Sequence, residues 1–420
     1  MKRGRLGLVA VVTIVCAAAA GFFFWPAPLE QVAASASQPT GAALIARGEY
    51  LTRAADCAAC HTVPGGAPFA GGLAFHLPFG TLYTPNITPD RDTGIGAWTD
   101  AEFVRALHQG VGRDGENLYP AFPYTAYTLL STDDALAIRA YLATVRPVHA
   151  ETPRNDLRFP FDQRYGMRAW NLLFLPKHRF TPDPAKDASW NRGAYLVEAL
   201  GHCGECHTPR NQLMALDSSR KFAGAEQVGW HAYNLTSDHA SGLGRWSDTQ
   251  IAQYLSTGHA DGRGPASGPM AEAVEDDLRY LSQDDIHAMV AYLREVAPQP
   301  DGPPAVQAGA PAPEIDTLGE RLFAQACQGC HLPNGDGRQS PWAALRGSHS
   351  AGDPVGTNLL QVLTHGTQIE TSQGVMFMHP FTGAYTDVEL AALAAYTTAQ
   401  FGLRQSKVTP ELVHRERELH

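Results

Sequence analysis

Three five-residue stretches carry the side chains best suited to chemistry. They are Cys57-Ala58-Ala59-Cys60-His61, Cys203-Gly204-Glu205-Cys206-His207 and Cys327-Gln328-Gly329-Cys330-His331. Cys-x-x-Cys-His is the attachment signature of c-type haem. Two thiols add across the two vinyl groups of the porphyrin, and two intervening residues let one turn of chain reach both. The adjacent imidazole then lies under the iron as proximal ligand. Structural zinc fits less well, because each copy supplies three ligands where tetrahedral zinc takes four. A redox Cys-x-x-Cys pair has no use for a histidine after it three times over. The expectation is three covalent haems c, held through Cys57, Cys60, Cys203, Cys206, Cys327 and Cys330, with His61, His207 and His331 on iron.

A sixth ligand is expected opposite each histidine, and methionine there raises the potential. In the second repeat the candidate is Met270, in Gly268-Pro269-Met270-Ala271; Met289 falls at an apolar helical position and reads as core. In the third repeat Met376 and Met378 both precede the last helix, and Met378 is favoured, since the other is an ordinary gap-filler. The first repeat breaks the pattern. Its corresponding loop is Tyr119-Pro120-Ala121-Phe122-Pro123-Tyr124, and phenylalanine cannot ligate iron. Met167 lies beyond that repeat in apolar surroundings that favour packing. His76 and His108 could coordinate, although a lone histidine is more often a surface or packed residue.

The elements that must position these groups are helices. Arg47-Gly48-Glu49-Tyr50-Leu51 precedes the first motif and Arg192-Gly193-Ala194-Tyr195-Leu196 the second, with Gly319-Glu320-Arg321-Leu322 before the third. Each reads as a helix running into its cysteines. Ser131, Ser282 and Thr386 open a later helix in each repeat, the last with a full capping box to Glu389. Apolar residues then recur at helical spacing, as in Leu136, Ile138, Tyr141 and Leu142. Gly48 with Tyr141 and Gly193 with Tyr292 are the expected crossing pairs. Further matches join the first two repeats: Asn86-Ile87-Thr88 with Asn234-Leu235-Thr236, and Trp98-Thr99-Asp100 with Trp246-Ser247-Asp248. A tryptophan N–H inside a haem protein needs an acceptor. A haem propionate is one reading, and simple core filling is the other.

The fold class expected is mainly α: three tandem class I cytochrome c domains after an N-terminal membrane helix or signal. The boundaries are a signal-anchor over 1–30, domains over 43–148, 190–296 and 314–402, a connector over 149–189, a Pro/Ala-rich linker over 297–313 and a charged, exposed tail over 403–420. Leu6 to Trp25 is uncharged and as long as the roughly 20 residues a bilayer-spanning helix needs. Lys2, Arg3 and Arg5 would hold its start in the cytoplasm, placing the rest on the periplasmic side of a bacterial inner membrane. A cleaved signal ending near Ala34-Ser35-Ala36 is the competing reading, against which the length of the apolar run argues. Six of the seven cysteines lie in the haem motifs, so no disulfide framework is left. A net charge of −10 before any propionate argues against nucleic acid as a partner. Glycine (40) and proline (30) are plentiful, which suits loop-rich domains wrapped round a cofactor.

With these motifs the chain resembles the membrane-bound trihaem cytochrome c subunit of bacterial periplasmic dehydrogenases, which serve alcohol, aldehyde, gluconate, sorbitol and fructose oxidation. The likeness runs from Gly48 to Gly402. Beyond the haem motifs it rests on Pro85-Asn86-Ile87-Thr88-Pro89-Asp90, Gly112-Arg113-Asp114-Gly115 and Ala266-Ser267-Gly268-Pro269-Met270-Ala271-Glu272. Met270 and Met378 match the family's axial positions, whereas Phe122 stands where the family often has methionine. The resemblance implies an electron relay. A separate catalytic subunit, using a flavin, a quinone cofactor or molybdopterin, would feed three haems that pass electrons to ubiquinone or a terminal oxidase. No nucleotide fingerprint or phosphate loop suggests a catalytic site in the chain itself. Two alternatives remain: a haem enzyme or small-ligand binder using an open first iron, and an electron-donating subunit of a haem–copper oxidase.

Overall fold

The computed structural model describes residues 2–24, 29, 31–300, 302, 311–338, 340–372 and 374–418, with backbone alone for 2–10, 19 and 24. The chain forms two compact units, Met1–Pro182 with Glu198–His202, and Asp183–Val197 with Cys203–His420.

In the first unit the helix Gly41–Ala54 runs toward Cys57 and crosses the helix Thr132–Leu142. Gly48 makes the crossing close. A β-carbon there would fall 2.0 Å from the Ala137 carbonyl oxygen and 2.8 Å from Tyr141 Cβ. Beside it, Arg47 reaches the buried carboxylate of Asp134 at 2.6 Å. Ser131 caps the second helix by accepting the Asp134 N–H, a contribution of about 1 kcal/mol. Leu51, Phe103, Leu107, Tyr124, Leu130 and Leu142 form the buried core around this pair. The hairpin Ala74–Leu77 and Gly80–Tyr83 pairs Ala74 with Tyr83, and Asp156–Leu157 of the connector adds a third strand. The connector's helix Gly166–Phe174 packs as expected on one face, where Asn171 accepts the Tyr124 hydroxyl at 2.8 Å. Its other face leaves Leu172 and Leu173 exposed.

The second unit uses the same crossing twice. Helix Ala188–Tyr195 meets Gln283–Leu293, where a β-carbon at Gly193 would fall 1.8 Å from the Ala288 carbonyl oxygen, one turn before Tyr292. Arg192 grips Asp285 through two nitrogens at 2.8 and 2.7 Å. Helix Thr317–Leu322 meets Asp387–Gly402, where Gly319 would place a β-carbon 2.8 Å from Tyr396 Cβ. Thr386 and Glu389 form the expected capping box. A hairpin pairs Thr367–Thr371 with Gly374–Met378.

The C-terminal tail was expected to be exposed, but Pro410–Glu418 is a helix that packs on Asp387–Gly402. Val413 is fully buried, Leu412 packs on the same core, Arg417 binds the Asp387 carboxylate at 2.9 Å and Glu416 accepts from Gln361 at 2.9 Å, and these contacts fix an otherwise charged segment. At the other end a helix, Lys2–Phe24, covers the apolar run. Counting only residues whose side chains are described, no helix is long and apolar enough to cross a membrane. Most of the 297–313 linker lies outside the described residues.

Candidate haem sites

Each Cys-x-x-Cys-His stretch ends in a short helical turn: Cys57–His61, Gly204–His207 and Gln328–His331. In all three the histidine makes the same bond. Nδ1 of His61 lies 2.7 Å from the Pro85 carbonyl oxygen, that of His207 lies 2.6 Å from Tyr233, and that of His331 lies 2.7 Å from Ala343. A carbonyl can only accept, so each Nδ1 carries the proton and donates it. That leaves each Nε2 with a lone pair, which is the state and orientation an iron ligand needs. Burial pushes His207 down to about 4 and lowers His61 and His331 as well, against the opposing pull of these carbonyls. The imidazoles are therefore neutral at neutral pH, as ligation requires.

The carbonyl partners were not foreseen from the sequence. For Pro85 and Tyr233 a signal existed, since each precedes the shared Asn-x-Thr. The structure shows what that motif does. Asn86 accepts the Thr88 N–H and donates to the Val148 carbonyl at 2.7 Å; Asn234 accepts from Thr236 and donates to Gln299 at 2.7 Å. The asparagine thus pins the stretch carrying the acceptor carbonyl to the segment that follows the last helix of its own repeat. Ala343 has no such motif and left no signal.

The haem thiols are partly accessible. Cys57, Cys60 and Cys203 are half-buried, Cys206 and Cys330 exposed, and Cys327 buried. Burial first, and then the Cys330 thiol, pushes Cys327 up to about 11. Among the described residues no three His, Cys, Asp or Glu side chains gather as a metal cage. The donor set at each motif is two thiols and one imidazole with Nε2 free, which fits haem c and not a tetrahedral ion.

The matched tryptophans are held alike. Arg139 donates to the Trp98 carbonyl at 3.0 Å and Arg294 to that of Trp246 at 2.6 Å. The indole N–H of Trp246 is buried and meets no acceptor among the described residues. An unpaired buried N–H costs about 1–3 kcal/mol, so the orphan supports the reading in which a propionate is its acceptor.

For the sixth ligands, equal stretches of chain separate Asn86 from Asn234, Trp98 from Trp246, Gly110 from Gly258 and Phe122 from Met270. Phe122 therefore occupies the methionine position of the first repeat without a gap. Its ring stands 5.6 Å from that of Tyr127, whose hydroxyl donates to the Ala55 carbonyl, two residues before Cys57. Met270 opens the helix Pro269–Asp276 and packs at a cluster of Ala266, Ala271 and Ile369 that Met376 also joins. Met378 packs instead with Leu363, Phe381 and Tyr385 around the third repeat's own core. Met289 is fully buried in its helix. His76 is exposed and lies 3.2 Å from the Thr81 hydroxyl. His108 is buried in the helix Asp100–Gln109 and bonds the Leu130 backbone, which is the behaviour of a packed histidine. Met167 is half-buried on the connector helix.

A cytochrome c family model matches residues 45–146, and a model for cytochrome c oxidase, cbb3-type, subunit III matches residues 316–396. The chain is 37% identical to the fructose dehydrogenase cytochrome subunit of Gluconobacter japonicus, over 93% of this chain and 85% of that one. It is 36% identical to the gluconate 2-dehydrogenase cytochrome c subunit of Pantoea cypripedii, over 88% of each. It is 41% identical to a nicotinate dehydrogenase subunit of Pseudomonas putida over 90% of this chain, but spans only 32% of that protein. The oxidase model covers the third repeat alone, whereas the dehydrogenase cytochrome subunits cover nearly the whole chain. On these matches the chain belongs to the family of cytochrome c subunits of fructose, gluconate and alcohol dehydrogenases.

Proposed function

We propose that the chain is the electron-relay subunit of a dehydrogenase complex, carrying three covalent haems c. The observation that carries this reading is the bond from motif histidine to backbone carbonyl, made three times on three different acceptors. Bound haem supplies reversible one-electron exchange at iron; the chain supplies spacing, burial and axial ligands. Cys57, Cys60, Cys203, Cys206, Cys327 and Cys330 would attach the groups, His61, His207 and His331 would supply an imidazole to each iron, and Met270 and Met378 would supply a thioether to two of them. The catalytic partner is a separate subunit of flavin, quinone-cofactor or molybdopterin type. The relatives' names differ in substrate while the cytochrome chain stays similar, which supports placing substrate choice in that partner. The electrons leave toward ubiquinone or a terminal oxidase. The N-terminal apolar run holds the subunit on the periplasmic face of the inner membrane.

Stoichiometry tests the reading. The mature protein, extracted to remove free haem, gains the mass of three haems, and the pyridine haemochrome agrees. Fewer than three in a fully matured sample would overturn it. Substrate added to the complex with its catalytic subunit reduces the haems; haems that stay oxidised would remove the relay.

A further inference from the structure

Two of the haem motifs lie in the second unit, and the chain around them exchanges side chains. His349 opens the short turn His349–Gly352 of the third repeat, yet its ring lies against the second. Its centroid is 5.0 Å from the ring of Tyr233 and 6.0 Å from that of Trp246. Tyr233 is the residue whose carbonyl holds His207, and Trp246 is the one whose buried N–H has no acceptor among the described residues. The guanidinium of Arg263 covers the Trp246 ring at 4.9 Å. An imidazole, an indole N–H and a guanidinium thus converge beside the support of His207. The nearby acids are answered elsewhere: Glu226 by His231 at 2.9 Å, and Asp353 by the charge of Arg404.

The exchange runs both ways. His259, buried in the second repeat, lies 5.0 Å from the ring of Trp342 in the third, with Nε2 3.1 Å from the Pro341 carbonyl oxygen. Trp342 immediately precedes Ala343, whose carbonyl holds His331. Each repeat therefore places a histidine beside the proximal support of the other.

Arg263 is itself held by Gln250 and the Arg245 carbonyl and brings its charge, while the buried Trp246 N–H beside the His349 ring meets no acceptor among the described residues. Such a site is built for an anion, and the anion that a c-type haem brings is a carboxylate. We propose that His349 is a positioning residue for the second haem: with Trp246 and Arg263 it receives a propionate of the group attached at Cys203 and Cys206. This rests on the three-haem reading above. The third repeat then completes the second repeat's haem site. A donor on the propionate offsets negative charge near the iron and favours the reduced state.

Potentiometric titration of the full three-haem protein tests this, with the second haem identified as the wave missing from the Cys203→Ala/Cys206→Ala variant. His349→Phe keeps a ring but no donor, and should lower the potential of that wave alone. His349→Gln keeps an N–H and should restore most of the loss. Redox-difference infrared spectra give a readout on the wild type and on His349→Gln, whose propionate carboxylate bands should differ. Unmoved potentials in His349→Phe, movement of another wave instead, or identical carboxylate bands would overturn the proposal. A protein with fewer than three haems would sink the relay reading itself, whereas three haems with unmoved potentials sink only the role of His349.

Discussion

At the scale of single residues, the departure at Phe122 is the most informative. Met270 and Phe122 hold equivalent positions, so one loop offers a thioether and the other an aromatic ring. Axial ligands set haem potential over a range of roughly 0.8 V, and thioether ligation favours the reduced iron. Met270→Ala and Met378→Ala should each lower one potential by a sizeable part of that range and leave two in place. Titration checks this, and an unmoved set in the Met378 variant would transfer the role to Met376. Near-infrared spectra of the oxidised wild type should show methionine-to-iron charge transfer for two haems, and Phe122→Met should add a third. Three such bands before mutation would hand the first haem to Met167, and a bis-imidazole spectrum lost with His76 or His108 would replace the open face. The three Cys-x-x-Cys-His stretches stand out in the sequence because covalent attachment of haem c would fix their spacing. Pro85, Tyr233 and Ala343 do not, because a backbone carbonyl can belong to any residue.

At the scale of elements, the helix crossings carry the fold. Gly48→Ala would drive a methyl to 2.0 Å from a backbone oxygen that cannot move aside without breaking its helix. It should cost at least the 1–3 kcal/mol typical of overpacking. Gly166→Ala, at the start of the connector helix with nothing within 4 Å, should stay within about 0.5 kcal/mol. Thermal melts of the two variants compare them directly, and equal melting points would disprove the role of the crossing. Within the helix Asp100–Gln109, burial first and then the charge of Arg179 push His108 down to about 4. Unfolded, the same imidazole titrates near 6.5. Between those values the unfolded chain binds a proton that the folded one refuses, so stability falls as pH drops through that window. The full loss, reached below pH 4, is about 3 kcal/mol at most. His108→Leu should flatten that slope in denaturant titrations at pH 7 and pH 5. These helices were legible because a capping serine or threonine and a small crossing residue leave local marks. The C-terminal helix was not, since its tertiary anchors, apolar at Leu412 and Val413 and polar at His414, Glu416 and Arg417, leave no crossing mark in the sequence.

At the scale of the whole molecule, the membrane attachment proposed above would have to hold a chain with a net charge of −10. Carboxylates and propionates are repelled by anionic lipid, so attachment has to be apolar. The sequence offers the run from Leu6 to Trp25, and a helix from Lys2 to Phe24 covers it. Phe23 stands 6.2 Å from the ring of Tyr165, and Arg168 lies over Phe22 at 5.2 Å, so this helix contacts the connector within the first unit. The connector also exposes Phe159, Leu172 and Leu173. Two attachments are thus open to test, the N-terminal apolar run and the connector's apolar face, and they would differ greatly in strength. A spanning helix resists salt and carbonate washing, whereas a few interfacial side chains bind reversibly. Replacing residues 1–30 by a cleavable signal should move the three-haem protein into the soluble periplasmic fraction. Membrane retention of that truncated form, abolished by Leu172→Ser with Leu173→Ser, would instead place the attachment on the connector and reduce the N-terminal run to an export signal.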